Sequence, residues 1–229
     1  MESLTFDLRQ TSLREVNHFL HHDAIHNNTR VVTILNPDGA HNIAVGLDLP
    51  VEVEIIGHSG YYAASMNKQA IVTIFGNAGT GVAENMMSGR VRVKGFASVS
   101  AGASAHGGLL IIDGDASLRC GISLKGADIV VGGSVGSFSA FMAQAGRIVV
   151  CGNAGDALGD SLYEAVIYVR GDIKSLGADA QIEPMQPADY QAVSELLDKA
   201  GFSYHPAEFK RVASAKQLYH WNADANQEY

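Results

Sequence analysis

Cysteine is scarce. The 229-residue chain has two, Cys120 and Cys151, at no metal-ligand spacing. They read as free thiols of a reducing compartment. Charge is sparse too, at 17% of residues, and the balance is −8. A phosphate-polymer binder normally carries a basic face, so nucleic acid is excluded as a partner. No apolar run reaches about 18 residues, so no membrane span is expected. The opening MESLTFDLRQ lacks the basic-then-apolar layout of a signal peptide. A cytoplasmic location follows as an expectation. What the chain has in quantity is glycine, 25 residues, with 47% apolar content. That is a globular composition rich in turns, with length for one or two domains.

The glycines are ordered. Short aliphatic runs (VEVEIIG, IVTIFG, VRVKG, LLIIDG, IVVGG, IVVCG, IYVRG) end at Gly57, Gly76, Gly95, Gly114, Gly133, Gly152 and Gly171. Every interval is 19 residues. Four residues before each anchor stand Val53, Val72, Val91, Leu110, Ile129, Ile148 and Ile167. Two before stand Ile55, Ile74, Val93, Ile112, Val131, Val150 and Val169. Alternate strand positions share a face, so these two columns form an inward side. Small residues recur three, seven and thirteen places after the anchor. A unit this short has no second layer to bury its face against, whereas stacked units pair strand on strand. The expected fold is all-β, a right-handed parallel β-helix of about seven turns, roughly 34 Å long at one strand spacing per turn. Stacked corners leave little side-chain room, and several are expected to need positive φ. Hexapeptide coils have periods that are multiples of six, and 19 does not fit. Three segments result: a cap at 1–35, the coil at 36–180, and a helix with a tail at 181–229.

Two motifs lose their first meaning on this frame. GNAGTG (Gly76–Gly81) follows the strand-like IVTIF as a phosphate loop would. Counted from Gly79, the third glycine of a dinucleotide fingerprint is Glu84, and no GK[ST] occurs. Gly81 alone belongs to neither small-residue column. His18, His22 and His26 fall at helical i, i+4 spacing, which a metal could use. Yet SLREVNHFLHH reads as an amphipathic helix with a Ser12/Glu15 capping box, and no cysteine or carboxylate set stands by. His58, His106, Glu84, Asp156, Asp160 and Glu164 lie on turns. The residues 19 away from Glu84 are Ser65 and Ala103, so no acid–base pair stacks. No catalytic, cofactor-binding or metal-binding residue is expected in this chain.

The recurring glycine–two residues–glycine–three residues–glycine pattern after short strands, over roughly 36–180, resembles the GXGXG domain of the glutamate synthase large subunit. A similar domain forms one of the subunits of formylmethanofuran dehydrogenase and of the related formyltransferase/hydrolase complex. Ser98, Ser117 and Lys174 depart from the second glycine of the pattern. The stretches NPDGAHNIAVGLDLPVEVEIIGHSGYYAASMN, GTGVAENMMSGRVRVKG, SAGASAHGGLL and AFMAQAGRIVVCGNAGDALGDSLYEA are most similar to the stand-alone solenoid subunits of methylamine–glutamate N-methyltransferase (N-methylglutamate synthase). The resemblance implies a hetero-oligomer with a glutamine amidotransferase-like subunit and an FMN-binding synthase-like subunit. FMN, with an iron–sulfur cluster as an optional addition, would sit in the partner. The implied reaction converts methylamine and glutamate to N-methylglutamate and ammonia, with this chain as scaffold. A formyl-transfer complex, or a stand-alone structural coil, are the alternatives.

Partner contacts are expected on the outer face. Three before the anchor, the first turns carry Glu54, Thr73 and Arg92; the last four carry Ile111, Val130, Val149 and Tyr168. Such an apolar stripe needs a cover. The chain's own helix PADYQAVSELLDKAG, with Tyr190, Val193, Leu196, Leu197 and Ala200 on one face, and a partner subunit are both compatible. Tyr61, Tyr62, Met86, Met87, Phe138 and Phe141, on Met- and aromatic-rich turns, are the other candidate contacts. The tail FKRVASAKQLYHWNADANQEY shows little continuous core and is expected to wrap a neighbour.

Overall fold

The computed structural model describes residues 2–24 and 29–216. Its strands are β1 (Glu2–Asp7), β2 (Thr29–Leu35), β3 (Glu52–Ile56), β4 (Ile71–Ile74), β5 (Arg90–Val93), β6 (Leu109–Ile112), β7 (Lys125–Val131), β8 (Ala145–Val150), β9 (Val166–Val169), β10 (Ala180–Glu183) and β11 (Lys210–Ser214). Two helices accompany them, α1 (Leu13–His18), continued by a π-helical turn at Phe19–Asp23, and α2 (Pro187–Ala200). Strands β1 to β9 pair in parallel and in chain order, and β11 then β10 close the sheet antiparallel. Val53 pairs with Val72, Val72 with Val91, and so on to Ile148 with Ile167. The 19-residue series is therefore the register of a parallel β-solenoid of about seven turns. The sheet also runs past the expected coil bounds, because β2 stacks on β3 and β1 on β2.

Both inward columns are buried, as is most of the +6 and +10 positions counted from each anchor (Ala63, Val82, Ala101, Cys120; Met86, Ala105, Leu124, Ala143). Buried side chains of the valine and isoleucine type contribute about 1.5–3 kcal/mol each, so this axial core dominates the stability.

The corners show why the repeat needs glycine at its anchors. At the anchors positive φ is not the reason, since only Gly57 of the seven has it; the expected positive φ is found in the small-residue columns seven places on (64 to 159) and, at Gly89, Gly108 and Gly146, thirteen places on. Gly95 donates to the Gly76 carbonyl at 2.9 Å, Gly114 to Gly95 at 3.0 Å, and the series continues to Gly171. This ladder brings backbones so close that a Cβ on Gly76 would stand 2.5 Å from the carbonyl oxygen of Gly57.

Left-handed backbone falls on three other columns. Residues 62, 81, 100, 119, 138 and 157 have φ between 53 and 72°. So do the six residues two places on (64 to 159) and, at 52–56°, the six four places on (66 to 161). Only four of the eighteen are glycine. The conformation is held because the amides alternate between the turns above and below: Tyr62 donates to Thr80 (2.8 Å), Ala64 to Ile43 (2.9 Å), Met66 to Glu84 (2.8 Å).

The N-terminal end is closed by α1 and its π turn, which bury Val16, Leu20 and Ala24. The Ser12/Glu15 capping box forms as expected. Asn17 bonds both the Ala44 amide and the Asn42 carbonyl, and His21 meets the Val45 carbonyl at 2.9 Å. These side chains supply partners to a first turn that has no turn above it.

The apolar outer stripe is covered by this chain itself. Ile111, Val130, Val149 and Tyr168 are buried beneath α2 and β11, in one cluster with Val193, Leu196, Leu197, Ala200 and Phe209. As candidate partner contacts these four are corrected, because α2 and β11 remove them from solvent. Tyr190 departs from the expected apolar face of α2 and is exposed. The tail is corrected in part as well. Its first residues form β11, which pairs with β9 and buries Phe209 and Val212; Tyr219, Trp221 and Tyr229 lie outside the described residues.

Candidate interaction surface

Several side chains that carry chemistry elsewhere are committed to structure here. Burial pushes both the Cys120 and Cys151 thiols up to about 12, away from nucleophilic use. The His18 and His22 rings pack tilted, with centroids 4.6 Å apart, and His18 faces Asp23 at 3.6 Å. His26 lies outside the described residues. No group of three or more potential ligands assembles among the described residues. His58 sits at a corner where its Nδ1 accepts the Asn77 amide at 2.9 Å.

That contact is one rung of a ladder. One residue after each anchor, Asn77 accepts from Phe96, Asp115 from Ser134, Ser134 from Asn153, and Asn153 from Asp172, at 2.7–3.1 Å. Phe96 cannot accept and breaks the ladder at the third turn. It is 51% exposed, and Ile56 and Phe75, one place before their anchors, are exposed nearby in sequence register. The sequence reading missed this group. Its signal was available, since Phe96 stands in a column otherwise filled by His, Asn, Asp and Ser.

The α2 clamp is electrostatic as well as apolar. The Tyr168 hydroxyl donates to Asp189 at 2.6 Å; Arg211 donates to Asp189 at 3.2 Å and also bonds Glu183. Burial raises the Asp189 carboxyl, but the Tyr168 hydroxyl, the Gln186 amide and Arg211 outweigh it and hold it below its ordinary value. Burial first, and Asp189 second, push the Tyr168 phenol up. Arg147 and Asp128 form a bidentate pair at 2.7 Å on the neighbouring strands.

The remaining candidate contacts divide. Met86 is fully buried and fills the coil interior, so it is corrected as a surface residue. Tyr61, Tyr62, Met87 and Phe138 are 43–51% exposed, and Phe141, half-buried, packs edge-on against Phe138 with centroids 6.3 Å apart. Met66, Leu118, Met142 and Tyr163 are equally open and were not singled out from sequence. Tyr62, Met66, Phe138 and Met142 occupy the left-handed columns, where other turns place Gly, Asn, Ser, Ala or, once, Arg119. A large side chain there adds backbone strain and gains little burial within the chain. Gly81 now has a role. A Cβ on it would stand 2.6 Å from the Tyr62 ring and 2.9 Å from the Glu84 carboxylate, so its absence makes room for Tyr62.

No helix among the described residues is long and apolar enough to cross a membrane. No family model matches the chain, and no solved structure matches it. Protein GlxC of Rhizobium meliloti (strain 1021) is 57% identical over 219 residues, covering 95% of this chain and 96% of that protein. Identity at that level along nearly the whole of both chains places this solenoid in the GlxC family.

Proposed function

We propose that the chain is the non-catalytic solenoid subunit of a multi-subunit, FMN-dependent, glutamate-synthase-like enzyme, and specifically of a methylamine–glutamate N-methyltransferase. The quoted sequence stretches support the family. The observation that carries the role is the exposed apolar corner of Ile56, Phe75 and Phe96, where the ladder of polar acceptors is broken. Such a surface suits protein contact, whereas a hydrolytic or transfer site would converge paired titratable groups in a cavity. In this reading one partner is amidotransferase-like and the other carries FMN. The coil holds the two in a fixed relation, and nitrogen passes between their sites without entering bulk water. The Phe96, Phe75 and Ile56 corner is the contact assigned to a partner chain.

Affinity purification of the tagged chain from its native cell tests this. Recovery of a yellow, FMN-containing synthase-like chain together with an amidotransferase-like chain is the expected result. Recovery of amidohydrolase and formyltransferase chains would give the role to a formyl-transfer complex. Recovery of this chain alone would leave it a stand-alone structural coil.

A further inference from the structure

Independently of that reading, the exposed apolar corners repeat. Tyr62 and Phe138 share one column, Met66 and Met142 a second, Met87 and Tyr163 a third, and within each pair the separation is four turns of 19 residues. All six are 40–49% exposed. Two like patches therefore lie about 19 Å apart along the solenoid axis, at one strand spacing per turn. Midway, on the third turn, the first two columns hold Ser100 and Ser104, which leave a low saddle between the patches.

We propose that this face is a two-fold interface with a second copy of this chain. A two-fold contact joins one patch of a molecule to the other patch of its partner, and the partner's contact returns the same pairing. Two copies laid antiparallel, with the axis through the serine saddle, set Tyr62 and Met66 of one against Phe138 and Met142 of the other. Tyr61 and Leu118 lie beside these patches. Met87 and Tyr163 centre on Lys125, one turn further on, and stand outside this two-fold set. The other six half-exposed side chains together offer about 600 Å², the share of one partner at the lower end of specific stable interfaces. The left-handed backbone at φ of 53–60° is held by hydrogen bonds to the neighbouring turns and points Tyr62, Met66, Phe138 and Met142 outward, and the interface supplies the burial they lack within the coil. Each copy carries −8, so the like charges oppose the pairing and salt strengthens it.

Sedimentation equilibrium of the full chain across its soluble concentration range reads the proposal. The expected species has twice the 24.2 kDa chain mass, and its association tightens as salt rises. Tyr62→Ser with Phe138→Ser introduces the residue that the same column already carries at Ser100, so the coil is retained. The double variant is expected to dissociate at least about 100-fold more readily, as loss of two central aromatic anchors does, while the far-UV circular dichroism of the folded coil is unchanged. Met66→Asn with Met142→Ser, which copies the residues that column already holds at Asn85 and Ser104, is the second pair and weakens association in the same direction. A wild-type monomer at every concentration, or a dimer that survives both double variants, overturns the proposal. So does a different partner chain that binds the monomer through these residues.

Discussion

At Gly76 a single Cβ would meet the Gly57 carbonyl at 2.5 Å, and the clash is with backbone that cannot turn aside. Gly76→Ala is therefore expected to destabilise the coil by about 2 kcal/mol or more, the range of severe local misfits, read as a lower denaturation midpoint. Tyr62→Ser is milder. Serine keeps a Cβ on the same left-handed backbone, as Ser100 does in this column, and only a ring that is 43% exposed is lost, so coil stability is expected to change by less than about 1 kcal/mol. Gly81→Ala is intermediate: the new Cβ displaces the Tyr62 ring rather than backbone. It is expected to change near-UV circular dichroism while leaving the melting transition cooperative. At this scale the sequence was informative about which residues are small and silent about why. The anchor glycines answer close approach, the left-handed columns accept Tyr and Met, and GNAGTG spans both kinds of position. Backbone conformation there is imposed by hydrogen bonds to the turns above and below, which a linear reading does not contain.

At the scale of elements, α2 and β11 decide what the outer stripe is for. The sequence placed Ile111, Val130, Val149 and Tyr168 on one face and offered two covers for them. The missing information was the strand at Lys210–Ser214, whose short KRVAS run carries no periodic signal strong enough to be told from a tail. Once it pairs with β9, α2 lies over the stripe and Asp189 meets Tyr168. The Asp189 carboxylate is held below its ordinary value, so the stability it adds is present above the unfolded value near pH 4 and is lost as pH falls through the lower folded value. Far-UV circular dichroism and tryptic sensitivity of α2 against pH read this. In the Asp189→Asn variant the hydroxyl and guanidinium lose their carboxylate, and the clamp weakens by about 1–3 kcal/mol already at neutral pH. If α2 stays protected to equal acidity in both proteins, the Tyr168–Asp189–Arg211 network is not what holds it.

For the whole molecule, a period of 19 residues was sufficient to state the architecture, because register, core columns and corner columns all descend from one spacing. The surfaces were less legible. Met86 and Met87 are adjacent in sequence, yet one fills the interior and the other is exposed. Phe96 announces itself only as a break in a ladder of polar acceptors. In the proposed scaffold role, this chain would support turnover through its surface rather than through a reacting group of its own. The direct measurement is reconstitution of N-methylglutamate formation from the amidotransferase-like and FMN-bearing chains, with and without this subunit. Turnover is expected to depend on adding this chain. Phe96→Asn, which restores the polar ladder while removing the apolar contact, is expected to lower turnover through weaker assembly. Full turnover by the other two chains alone would contradict the scaffold role.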